Sequence, residues 1–150
     1  MKLRTPLTEL VGVEHPVVQT GMGWVAGARL VAATANAGGL GILASATMTF
    51  DELATAIAEV KARTSKPFGV NLRADAADAS DRVDLLIKEG VKVASFALAP
   101  KQEFIERLKA AGSVVVPSIG AAKHARKVAS WGADAVIVQG GEGGGHTGAV

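Results

Sequence analysis

The sequence predicts an α/β protein whose parallel strands curl into a barrel, and three observations carry that reading. Gly90, Gly112 and Gly132 each follow a helical pattern and each precede a Val-rich run, at Val91 to Ala97, Val114 to Ser118 and Ala133 to Gln139. A glycine after a helix takes the left-handed conformation that closes the last turn, and an unbroken apolar run reads as a strand buried on both faces. These units recur about every 20 residues, the length of one strand, one helix and two short loops. No Gly-x-Gly-x-x-Gly turn follows the first strand, which tilts the choice from an open doubly wound sheet toward a (β/α)8 or TIM barrel.

The earlier elements repeat the pattern. Strands are expected at Val17 to Thr20, Leu40 to Ala44 and Pro67 to Leu72, with a helix from Ala26 to Asn36 between the first two. In the helix from Asp51 to Thr64, Leu53, Ile57 and Val60 form one stripe, and Thr49 with Glu52 makes a capping box. Val83, Leu86 and Ile87 face inward from Ser80 to Glu89, and Phe104, Ile105, Leu108 and Ala111 from the helix that Pro100 opens. The last helix, Ala121 to Trp131, turns Ala125, Val128 and Ala129 inward and leaves His124 on the solvated side. Six strand-helix units do not close a barrel that typically runs to about 250 residues. Residues 1–150 are therefore read as one partial domain, the first six units of a longer chain; a complete six-stranded open sheet is the alternative.

Composition narrows the function classes. Hydrophobic residues make up 49% and charged residues 20%, the balance of a globular chain with a true core. Aromatic residues are only 4%, so that core must be aliphatic. The net charge of +2 is too small for a nucleic-acid partner. With no Cys there are no disulfides or thiolate-bound metals, as in a reducing cytoplasm. No apolar run approaches the roughly 20 residues of a membrane span.

In parallel α/β proteins the reactive groups gather where strands end. That rule selects Gly21-Met22-Gly23-Trp24 after the first strand, Asn71 at the end of the third, and Ala97 and Ser118 after the fourth and fifth. Gln139 ends the sixth and leads into Gly140-Gly141-Glu142-Gly143-Gly144-Gly145-His146-Thr147-Gly148. Glycines let backbone N–H groups approach a ligand, and an amide offers both a donor and an acceptor, as a flavin's pyrimidine edge requires. Met22 can pack on a flat ring, and His146 can move a proton near neutral pH. Gln139, flanked by apolar residues, is costly to bury without a partner, which points to a ligand. His15, before Pro16, reads as structural.

The run from Val136 to Gly148 resembles the Gln-Gly-x-Glu-Ala-Gly-Gly-His-x-Gly signature of the nitronate monooxygenase (2-nitropropane dioxygenase) family. The segments His15 to Gln19 leading to Met22, Gly38 to Gly41, and Gly69-Val70-Asn71 resemble that family too. The resemblance implies a TIM barrel binding FMN, with Met22, Asn71, Gln139, Gly140, Gly144 and Gly145 as cofactor contacts and His146 as the catalytic residue. No metal is implied. The family's Pro-Met-x-Gly-Gly is here Gly21-Met22-Gly23-Trp24, similar to flavin-dependent enoyl reductases and to the branch acting on coenzyme A thioesters in bacterial steroid-ring degradation. Gly143 replaces the signature's Ala, read as a minor change. The expected substrate is a small molecule, a nitronate or an acyl thioester, with NAD(P)H as a further redox partner and oligomerisation left open. An inactive, flavin-free fragment is the contrasting reading. A phosphosugar isomerase or aldolase is disfavoured, because no Lys or acidic pair stands at the strand ends.

Overall fold

The computed structural model describes residues 3–98 and 100–144. Its sheet has six strands in the order β1-β2-β3-β4-β5-β6, every neighbouring pair parallel. The strands are β1 (Val18–Gln19), β2 (Leu40–Ala44), β3 (Phe68–Leu72), β4 (Val93–Phe96), β5 (Val114–Ile119) and β6 (Ile137–Val138). The helices are α1 (Pro6–Val11), α2 (Ala28–Asn36), α3 (Phe50–Arg63), α4 (Ala79–Lys88), α5 (Gln102–Ala110) and α6 (Ala122–Ser130). The expected partial barrel is therefore the observed one, with sequential strand order and one helix after each of the first five strands. Gly90, Gly112 and Gly132 all have positive φ (63°, 82° and 98°), which explains the spacing of the units. The capping box of α3 is also present: Glu52 N–H donates to Thr49 Oγ1 at 3.3 Å, and Thr49 N–H to Glu52 Oε2 at 2.7 Å.

Strand register sorts side chains between two faces, because residues alternate along a strand and register-paired residues share a face. Leu43, Val70, Ala94 and Val115 point to the helices and join Ile57, Leu86 and others in the larger core. The opposite, inner face carries Ile42, Gly69, Val93 and Val114 in one layer, then Ala44, Asn71, Ser95 and Val116 toward the carboxyl end. The first of these layers is plugged from below. Leu7, Leu10 and Val11 of α1 pack against Leu40, Ile42, Val93 and Val114. Periodicity over six residues is too short to announce α1, yet its signals exist: Thr5 caps it, Pro6 opens it and Gly12 closes it with φ 83°.

Three expectations needed correction. The sixth strand is two residues long rather than a buried run to Gln139, and Val138 is 72% exposed. Among the described residues β6 pairs with β5 alone. Ala111 and Ala129 are exposed rather than inward, because Ala111 lies past the end of α5 and Val128 alone anchors α6. No helix among the described residues is long and apolar enough to cross a membrane.

Candidate functional site

The inner layer nearest the carboxyl ends is built from small or polar residues, Ala44, Asn71 and Ser95. Asn71 is its centre. Alternation in β3 turns Val70 and Leu72 to the helices and leaves Asn71 inward. Its carboxamide rests on the backbone of Gly21, where a Cβ would lie only 2.7 Å from Asn71 Cβ and 3.1 Å from Nδ2. On its other flank, Ser45 Oγ donates to the Asn71 carbonyl at 2.6 Å. Asn71 Oδ1 is buried without a hydrogen-bond partner. An orphaned buried acceptor costs free energy unless a ligand supplies the donor.

Gln19 Oε1 is the other such atom among the described residues, and register separates the two. Gln19 pairs with Gly41, which contacts the backbone of α2 at Val31. Gln19 thus belongs to the helix-facing side and does not converge with Asn71. Its amide donates to the Thr20 and Ile42 carbonyls.

Met22 follows Gly21 and is 38% exposed, so it is not a core methionine. Next to it Trp24 holds φ at 64°, a left-handed conformation that is strained for a bulky residue, with its side chain 89% exposed. Trp24 N–H reaches Thr47 Oγ1 at 3.4 Å. Together Trp24, Val25, Ala44, Thr47, Met48 and Glu52 line an open cleft of about 330 Å³. Trp24 belongs to the segment singled out after the first strand, whereas two contributors, Ser45 and Arg82, were not among the residues selected from the sequence. For Arg82 there was a signal, since its place on α4 beside Val83, Leu85 and Leu86 is buried; Ser45 gave none.

Gln139, Gly140 and Gly144 occupy the same carboxyl edge, three strands along from Asn71. Here the expectation of a buried Gln139 is corrected: the residue is exposed and folds back on its own loop. Gln139 Nε2 donates to Gly144 O at 3.0 Å, and Gly143 N–H to Gly140 O at 3.0 Å. A Cβ on Gly143 would meet Gln139 Cγ at 2.6 Å. The glycine at this position therefore permits the Gln139 conformation seen. Gly145 and His146 lie outside the described residues.

Parallel strands, an apolar plug below and an unsatisfied polar layer above define a barrel of the class that holds its ligand at the carboxyl ends of the strands. A family model described as nitronate monooxygenase matches residues 4–84 and 77–150, and the chain belongs to that family. It is 83% identical over 150 residues to a Mycobacterium tuberculosis protein named (3aS,4S,5R,7aS)-5-hydroxy-7a-methyl-1-oxo-octahydro-1H-indene-4-carboxyl-CoA dehydrogenase, covering 100% of this chain and 42% of the relative. It is 30% identical over 185 residues to a probable nitronate monooxygenase of Staphylococcus saprophyticus, covering 99% of this chain and 52% of that one. Among solved structures, FabK from Thermotoga maritima superposes with a TM-score of 0.94 at 42% identity, covering 99% of this chain and 48% of that one. The chain thus spans about half or less of the proteins it matches.

Proposed function

We propose that this chain is a cofactor-holding part of an FMN-dependent oxidoreductase whose substrate is a coenzyme A thioester of a fused-ring acid. The observation that carries the cofactor is the buried, unpartnered Asn71 Oδ1 against the Gly21 backbone. Such an acceptor suits a ring N–H or a ribityl hydroxyl, and the missing Cβ of Gly21 lets the Asn71 side chain pack directly on the Gly21 backbone. Met22 supplies a polarizable contact, and Gln139, Gly140 and Gly144 supply amide and backbone donors from three strands along the edge, with Gly145 next to them in the sequence as a further cofactor residue. The substrate class is supported by the 83% identical relative, named for such a thioester.

When bound, the flavin supplies two-electron redox chemistry. The protein's part is binding, orientation and proton movement. His146, following the glycines, takes the proton from the hydroxyl oxygen of a substrate alcohol as that carbon is oxidised. With a nitronate, the second reading favoured by the family model and the staphylococcal relative, the same imidazole steers the anion. Neither of the other two histidines stands at a strand's carboxyl end: His15 precedes β1 and His124 is exposed on α6. We place the protein in the cytoplasm.

The test is a full-length preparation. The flavin released by heat is identified as FMN or FAD. Anaerobic bleaching is then followed with a fused-ring hydroxyacyl thioester, a nitronate and NAD(P)H in turn. His146→Ala is expected to keep the yellow spectrum and lose turnover by about 100- to 10,000-fold. A colourless protein overturns the cofactor, and bleaching by nitronate alone overturns the substrate class.

A further inference from the structure

Arg82 is 8% exposed, an expensive place for a guanidinium. Its position on α4 is one that an apolar residue could fill. Instead, each of its three nitrogens donates a hydrogen bond. Nη1 donates to Ser45 O at 2.7 Å, Nη2 to Met48 O at 2.8 Å, and Nε to Asp78 Oδ2 at 2.8 Å. The planar fork thus grips both ends of the short 3-10 turn (Ser45–Thr47) that leaves β2. Ser45, 1% exposed, passes that constraint on by donating Oγ to the Asn71 carbonyl at 2.6 Å.

We propose that Arg82 is a positioning residue for the cofactor site, acting through Ser45 to hold Asn71 against Gly21. The inference rests on the reading of Asn71 as a flavin contact. Asp78 neutralises the arginine and orients it from the N-cap of α4, one turn earlier. The two carbonyl bonds are short and lie on separate residues, so a lysine cannot replace both: a single ammonium has no planar fork. The same turn carries Thr47 and Met48 into the cleft beside Trp24, so Arg82 also braces one wall of that cleft.

The experiment is a coupling measurement on full-length protein stripped of flavin. FMN affinity is read from quenching of flavin fluorescence, and apo-protein stability from a thermal melt. Arg82→Lys and Ser45→Ala are each expected to weaken FMN binding by about 3- to 30-fold. In an Asn71→Ala background, which is itself weakened, neither should weaken it further. Equal losses in both backgrounds, or no loss in the parent, overturn the positioning role and leave the Asn71 contact standing. If Asn71→Ala alone binds FMN as the parent does, the contact itself falls, and the inference with it. Ser45→Ala removes one hydroxyl and keeps the test valid if Arg82→Lys fails to fold.

Discussion

The inner face of the sheet has two layers that follow opposite rules. Below, Leu40, Ile42, Val93 and Val114 meet α1 in a closed apolar contact. Above, Ala44, Asn71 and Ser95 leave an acceptor buried and unpaired. The same four strands build both layers, a few residues apart. The lower one lowers the free energy of the fold; the upper one raises it and is tolerated because a ligand can repay the loss. Barrels divide labour in this way, with stability at the amino ends of the strands and chemistry at the carboxyl ends.

Substitutions can separate the two. The largest effect on stability is expected from Ile42→Ala, which empties space in the plug at a cost of about 2–5 kcal/mol. Chemical denaturation of the full-length protein measures it, and folded molecules should retain flavin. Gly41→Ala comes next. Its Cβ would sit 2.5 Å from Val31 O and 2.8 Å from Val31 Cα, backbone atoms that cannot step aside. About 1–3 kcal/mol of stability should be lost. By contrast Gly21→Ala would press on Asn71, so flavin affinity should suffer before stability does.

Asn71→Leu sharpens the contrast. Removing an unpaired buried acceptor should leave the apo-protein unchanged or more stable by about 1 kcal/mol, while flavin retention falls. A loss of stability as large as that of Ile42→Ala would erase the distinction between the layers.

The smallest effect lies outside both. Bonds from the Thr49 backbone and hydroxyl group hold the Glu52 carboxyl below its ordinary range. A depressed carboxylate contributes fully above its unfolded pKa, and that contribution disappears as the pH falls through the lowered folded value. The melting temperature of the parent should therefore exceed that of Glu52→Gln slightly near neutral pH and converge with it in acid. A gap that widens in acid contradicts the capping role.

Much of this architecture was legible in the residues. Glycines at 90, 112 and 132, apolar stripes such as Leu53-Ile57-Val60 and the Thr49–Glu52 box act within one or two helical turns, so the chain alone displays them. The rule that strand ends carry the chemistry singled out Asn71, Met22 and Gln139 correctly as residues of one edge. It misjudged Gln139: apolar neighbours implied burial, whereas the residue is exposed just past β6, which among the described residues pairs with β5. It also passed over α1, whose role as a plug exists only after four strands have come together above it.

The sequence by itself determined the alternation of strand and helix, the parallel sheet and the family, because these depend on periodicities of a few residues and on a contiguous signature. Only the tertiary structure decided which amides converge. Gln19 and Asn71 both lie in strands that flank β2, with the same functional groups, yet strand register sends one toward the helices and the other into the barrel. The hold on Asn71 is equally non-local. Ser45 reaches it across 26 residues and Arg82 reaches Ser45 across 37. Such pairings have no period in the chain, and they appear only when the sheet fixes which strand faces which.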